Sequence, residues 1–275
     1  MGALANQQAV EEFRENRGAL GGPFRDARVV LLTTTDPGTA ESVVRPVGFH
    51  HDDQGRLLLL AAPAEDGTPP EWYRHVLAGP QVRVETGTAV IEAQAEVLTG
   101  EEHAAAYRRM AEVTPALAPA PIVALRPRSR SRLAAASWGD ELNAVHDGLR
   151  RELTLIRKEL AAGGPGLAAQ LRINCLTACG ILHQHHLSED DEAFPLIERR
   201  HPEIAAVMAR LRTQHREMGV LLEKLRVAVS GPAAGSAAAL AELDRLTAAL
   251  EAHLDDEEEQ LIPVLNAVDI NRGGR

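Results

Sequence analysis

Four histidines and two glutamates in the C-terminal half of the chain have the types and the spacing to hold a cation. Each of four helix-forming stretches puts a histidine where a heptad pattern reserves an apolar residue. The first stripe reads Leu142, His146, Leu149, Leu153, Ile156, Leu160, and the second Leu171, Cys175, Ala178, Leu182, His185, Glu189, Glu192 or Ala193, Leu196. The third reads Met208, Leu211, His215, Met218, Leu222, Leu225, and the fourth Leu243, Leu246, Leu250, His253, Glu257, Gln260 or Leu261, Val264. Six polar side chains therefore face a core. Left alone there, each would cost several kcal/mol, so they must find one another or share a cation.

The elements that position these groups are helices running up and down, with breaks at residues 163–165, 201–202 and 231–232. The histidines stand about 13 to 20 residues from the breaks, roughly 20 to 30 Å at 1.5 Å per residue, which puts all four in one layer. An internal echo sharpens the choice of ligands: His185, Glu189 and Pro195 recur at the same intervals as His253, Glu257 and Pro263. A histidine and a glutamate four residues apart share a helix face and can chelate one cation or bridge two. Mixed imidazole and carboxylate suits divalent iron and accepts zinc, and bundle cores that hold paired irons use such sets.

Neighbouring polar residues read more plainly. His183 and His201 fall off the stripe and are expected in solvent. Asp190, Asp191, Asp255, Asp256, Glu258 and Glu259 read as wet acidic faces, with Asp190 or Glu258 in reach of a ligand imidazole as its acceptor. Cys175 and Cys179, one helical turn apart, read as buried thiols, since two cysteines support neither a zinc site nor a disulfide framework.

Residues from about 138 to 269 resemble the hemerythrin-like, HHE cation-binding family. The motifs are His146 in V-H-D-G-L-R-R-E-L, His185-His186 with Glu189-Asp190 and Phe194-Pro195, His215 in Q-H-R-E-M, and His253 with Glu257-Glu258. The resemblance implies a di-iron site bridged by Glu189 and Glu257, with His146 and His185 on one iron and His215 and His253 on the other. The family's oxygen carriers have a further histidine one turn along the third helix, where this chain has Gly219. Either His186 supplies that ligand from the second helix or a position stays open.

Composition bounds the rest. The 275 residues are 45% apolar and only 3% aromatic, enough for two cores and biased toward helices. A net charge of −10 argues against a nucleic-acid groove or an anionic membrane as partner. The basic run at 126–132 reads as part of a linker. No N-terminal apolar stretch resembles a signal and none is long enough to span a bilayer, so the expected location is cytoplasmic.

The N-terminal half has a strand rhythm at residues 29–33, 57–60, 82–85, 90–97 and 122–125, with helical pieces near 5–16, 70–79 and 100–113. His50, His51, Asp52 and Asp53 precede Gln54-Gly55, where a hairpin turn is expected, and read as surface polarity; His75 and His103 read as helix-surface residues. The segments Phe13-Arg-Glu-Asn, Gly21-Gly-Pro-Phe24, Leu31-Leu-Thr-Thr-Thr35, Trp72-Tyr73, Val82-x-Val84-Glu85 and Val97-Leu-Thr-Gly-Glu101 are similar to the deazaflavin-dependent nitroreductase family. That resemblance spans residues 11–127 and implies a split β-barrel of the flavin-binding type, a deazaflavin or FMN cofactor and a homodimer through the barrel. The family grips the cofactor phosphate with a G-R-K-S-G loop after the threonines. Here the loop is Asp36-Pro-Gly-Thr-Ala40, whose charge is of the wrong sign for a phosphate, and Arg45 is the nearby cation. Arg45, Trp72 and Tyr73 are therefore the candidate cofactor-binding residues of a degenerate or altered barrel.

The expected fold class is α+β in two domains: a split β-barrel over 1–127, a linker over 128–137, and an up-down four-helix bundle over 138–270. Two functions fit. One is a non-haem di-iron module that binds or senses oxygen, nitric oxide or iron, the barrel serving as partner surface. The other is a deazaflavin- or flavin-dependent oxidoreductase of nitro- or quinone-reductase type coupled to the di-iron domain.

Overall fold

Long apolar runs in the N-terminal half become strands covered on both faces. The computed structural model describes residues 3–25, 27–64, 66–113, 119–132, 137–162, 169–230 and 236–267. It divides into two compact units, Met1–Ala134 and Ala135–Arg275. The first opens with helix α1 (Ala3–Glu15) and continues through β1 (Val29–Thr35), β2 (Ser42–His51), β3 (Leu57–Leu60), α2 (Glu71–Ala78), β4 (Gln81–Glu85), β5 (Ala89–Val97), α3 (Gly100–Val113) and β6 (Ile122–Arg132). The six strands close a barrel in the order β1, β2, β3, β6, β5, β4, with antiparallel neighbours throughout.

Val30 and Leu32 of β1 join Leu59, Val82, Val84, Val123 and Leu125 in the main core. The alternate residues Val29 and Leu31 pack against Val10 and Phe13 of α1. In the same way Leu58, Ile122 and Ala124 meet Ala106 and Met110 of α3. Two covered faces explain why these strands read as unbroken apolar runs rather than as alternation.

Two elements differ from the sequence reading. β2 shows no strand signal, because it is half exposed and broken by Pro46 and Gly48. It is fixed by its partners instead: residues 42–48 pair with β1, where a missing proline N–H is tolerated, and residues 49–51 pair with β3. The basic run 126–132, read as the start of a linker, is the second half of β6 and pairs with β5 along its length. Opposite Glu92 and Ala93 of β5 the register shifts, Glu92 pairing with Ser129 and Ala93 with Pro127, so that Arg128 is the bulged residue of β6 beside Pro127, and Arg126 binds Glu96 at 2.6 Å. Cross-strand partners outweigh polarity here. Positions 133–136 of the expected linker lie outside the described residues.

The hairpin expected near Gln54-Gly55 is present; of its polar residues Asp53 is on the surface as expected, His50 and His51 are half-buried, and Asp52 is not on the surface. Asp52 is buried; it accepts from the backbone N–H of Gln54 and Arg56 and from Arg56 Nε at 2.6 Å. Burial, followed by the charge of Arg28, pushes the His51 imidazole down to about 4.

The second unit is the expected bundle. Its staves are α4 (Trp138–Ala162), α5 (Ala169–Ser188) with its continuation α6 (Phe194–Arg200), α7 (Ala205–Ser230) and α8 (Ala237–Ala267). α4 packs on α5 and α8, and α7 on the same two, so the four close a ring. The breaks at 163–165 and 231–232 and the side chain of Leu160 lie outside the described residues, whereas the turn at 201–202 is present. Nearly every other stripe position is buried or half-buried.

The exception lies after Glu189. Residues Glu189–Ala193 form a π-turn in which the Phe194 N–H reaches back five residues to the Glu189 carbonyl. Pro195 follows and has no N–H to offer the ordinary ladder. The extra residue rephases the stripe by one: Phe194 and Ile197 are 1% and 7% exposed, while Leu196, the expected core residue, is 39% exposed. The matching Pro263 sits inside α8 with no such turn, so the echo between the two motifs is one of side chains and not of backbone.

Two outcomes test these assignments. Ile197→Ala is expected to lower stability by about 2 to 5 kcal/mol and Leu196→Ala by less than about 1; equal losses in chemical denaturation would contradict the rephased stripe. Because the folded pKa of His51 lies below its unfolded 6.5, its contribution is intact above about pH 6.5 and is lost as pH falls toward about 4. The barrel's melting temperature, followed by Trp72 fluorescence in a Trp138→Phe background, should fall over that range and flatten in His51→Gln.

Candidate metal centre

The bundle brings all seven expected ligands into one buried cluster. α4 contributes His146, α5 the adjacent His185 and His186, the π-turn Glu189, α7 His215, and α8 both His253 and Glu257. Ligand-type atoms fall into two groups, each within 4.8 Å: His146, His185, Glu189 and Glu257 in one, and His186, His215 and His253 in the other. The carboxylates span both groups. Glu257 Oε2 lies 3.4 Å from His146 Nε2 and 3.5 Å from His253 Nε2. Glu189 Oε1 lies 3.2 Å from His185 Nε2, and its Oε2 3.7 Å from His215 Nε2. Atoms held about 2.1 Å from a shared cation stand roughly 3.0 to 3.5 Å apart, so these separations suit metal ligation.

The outward ring nitrogens are already spoken for. His146 Nδ1 donates to Glu258 Oε1 at 2.8 Å, His215 Nδ1 to Asp190 Oδ1 at 2.9 Å, and His253 Nδ1 to Gln214 Oε1 at 2.8 Å. Gln214 in turn donates to Asp256 at 3.0 Å, which orients its carbonyl toward the imidazole. Each acceptor requires a proton on Nδ1 and so leaves the Nε2 lone pair facing the core, the tautomer a metal requires. Guanidinium groups steady the acceptors: Arg150 binds Glu258 and Asp255, and Arg210 binds Asp256. Asp190 and Glu258 were legible as such acceptors. Gln214, Arg150 and Arg210 were not, although Gln214 lies beside a ligand and Arg150 is one turn beyond His146.

Inside the cluster His146 and His185 meet Nε2 to Nε2 at 3.3 Å, and other polar atoms are orphaned. The Nε2 atoms of His186, His215 and His253, Oε2 of Glu189 and both oxygens of Glu257 are buried without a hydrogen-bond partner. Burial pushes the His185 imidazole down to about 3 and that of His253 down to about 4, and lowers His186 further. Burial, then Glu257 and Asp190, hold the Glu189 carboxyl well above its ordinary range. At Glu257 burial acts in the same sense but is outweighed by the surrounding histidines, which keep that carboxyl low. Neutral imidazoles beside carboxylates in a dry site form a donor set that fits a divalent cation. His186 stacks on His215 with ring centroids 4.2 Å apart, and Phe194 lies against the same ring at 5.5 Å.

The remaining residues separate from this site. His183 is exposed, and His201 pairs with Glu203. Cys175 is buried and Cys179 half-buried, and burial pushes the Cys179 thiol up to about 11. In the barrel, Arg45 is tied to Glu71 at 2.7 Å, Trp72 is a core residue, and Tyr73 packs beside it at 6.1 Å between ring centroids. His75, expected on a helix surface, is 3% exposed and bonded to Thr34 Oγ1 at 2.9 Å. His103 is half-buried, bonded to the Ala120 carbonyl at 3.0 Å.

No helix among the described residues is long and apolar enough to cross a membrane. Among solved structures, an F420-H2 dependent reductase (FDR-A) is 25% identical over 36% of this chain and 94% of its own, with a TM-score of 0.31. A putative pyridoxamine 5'-phosphate oxidase from Listeria innocua is 16% identical over 39% and 90%, with a TM-score of 0.31. A structure described as a domain-swapped dimer is 23% identical over 44% and 93%, with a TM-score of 0.34. Residues 139–265 match the hemerythrin HHE cation binding domain, and residues 5–119 match F420H(2)-dependent quinone reductase. The chain thus joins a half similar to the hemerythrin HHE cation binding domain, which holds the buried cluster, to a half similar to F420H(2)-dependent quinone reductase.

Proposed function

We propose that the protein is a non-haem di-iron module that binds or senses oxygen, nitric oxide or iron. The observation that carries this reading is the pair of carboxylates, Glu189 and Glu257, each lying between the two histidine groups. In this assignment His146 and His185 serve one iron, and His215, His253 and His186 the other, with both glutamates bridging. His186 takes the place left by Gly219. Iron so held supplies a ferrous–ferric couple and a coordination position for a small ligand.

The protein's own groups prepare that chemistry. Glu258, Asp190 and Gln214 hold the ring protons on Nδ1 and aim three Nε2 atoms inward. One turn beneath the cluster, Leu149, Leu182 and Leu250 line a small cavity together with Leu222 and the two cysteines. Its apolar walls offer no polar partner to water or to an anion.

The family match over residues 5–119 supports a second reading, a deazaflavin- or flavin-dependent oxidoreductase coupled to the bundle. Against it stand Asp36 where a phosphate would sit and the neutralisation of Arg45 by Glu71. A homodimer through the barrel belongs to the same reading.

Iron-supplemented protein is expected to carry two irons per chain and visible charge-transfer absorption. His253→Ala and Glu257→Ala should remove that absorption, and Gln214→Leu should weaken iron binding about 10- to 100-fold with the fold intact. Full iron content in His253→Ala, by metal analysis, would sink the assignment. Deazaflavin titrated into the protein is expected to show no saturable fluorescence quenching; saturable quenching would establish the reductase reading.

A further inference from the structure

A second group of ligand-type atoms lies in the barrel unit, and neither reading above uses it. One atom each from Asp36, Glu71 and His75 fall within 4.8 Å of one another. Asp36 follows the last residue of β1, Glu71 opens α2, and His75 is four residues on, so Glu71 and His75 share one face of that helix. The same interval separates His185 from Glu189, His186 from Asp190 and His253 from Glu257.

Each residue keeps an atom in reserve. His75 is buried and anchored through Nδ1 to Thr34 Oγ1 at 2.9 Å, which sends Nε2 toward Asp36 Oδ2 at 3.6 Å. That distance is too long for a hydrogen bond and matches the separations inside the bundle cluster. Asp36 commits Oδ1 to its own loop, accepting from the N–H of Gly38 at 2.7 Å and of Thr39 at 3.1 Å, and leaves Oδ2 for the imidazole. Glu71 gives Oε2 to Arg45 at 2.7 Å, which steadies the carboxylate and leaves its other oxygen. The two carboxylates are 30% and 39% exposed, so the group opens to solvent on one side.

We propose that Asp36, Glu71 and His75 form a mononuclear site for a first-row divalent cation, separate from the bundle. Two carboxylates and one imidazole suit manganese or zinc, and three protein ligands leave positions for water or an oxygen donor. Arg45 offsets one carboxylate, and the cation compensates the other. In this role Arg45 is a positioning residue for Glu71 rather than a phosphate anchor.

The test uses the full chain with the bundle loaded with iron. Manganese(II) alone is titrated and counted by its free EPR signal, with zinc(II) as competitor and bundle iron measured before and after. One further manganese per chain is expected, displaced by zinc. Asp36→Asn, which keeps the turn-forming oxygen, and Glu71→Gln should each weaken uptake at least tenfold without loss of iron. His75→Ala should abolish it, with a thermal melt run alongside to show that the barrel is folded. Absence of manganese and zinc uptake by the unaltered chain overturns the proposal. So does uptake matched by iron release, or uptake unchanged in Asp36→Asn and Glu71→Gln.

Discussion

The bundle depends on the cost of drying imidazoles and carboxylates. Five histidines and two glutamates gather in one layer, and the inward Nε2 atoms of His186, His215 and His253 and both oxygens of Glu257 have no hydrogen-bond partner. Such a layer is tolerable only where each group has its orientation fixed from outside and its remaining lone pair directed at a common point. The helices provide the first condition through Glu258, Asp190 and Gln214, and the ring of four staves provides the second. Burial in this layer holds the imidazoles of His185, His186 and His253 below their ordinary range, which favours their neutral form.

Much of this was legible because a helical stripe has a strict period. His146, His185, His215 and His253 interrupt otherwise apolar seams, and counting residues from the breaks placed them at one height. His186 was ambiguous for the same reason: an adjacent pair of histidines cannot both lie on an ideal stripe, and only the packed bundle draws both rings inward. What escaped the pattern was the network behind the rings. Gln214 and Arg150 are polar residues at ordinary helix positions, and their roles appear only once α4, α7 and α8 are neighbours.

The barrel was legible where strands are buried on both faces and opaque elsewhere. β1, β3 and the first half of β6 announce themselves as apolar runs. β2 and the second half of β6 are strands by virtue of their partners, and neither proline nor a run of arginines advertises a ladder. His75 shows the same limit, since its α2 sequence does not reveal that Thr34 waits on β1 to receive its ring. Side chains that are placed by nonlocal pairing leave little trace in local composition.

The π-turn at Glu189–Ala193 carries a further consequence. Between His186 and the end of α6, the surplus residue decides which side of the following segment turns inward. Regular winding at full length would turn Leu196 inward in place of Ile197, whereas excising one of Asp191, Glu192 or Ala193 would restore regular winding and leave Phe194 and Ile197 on the buried side.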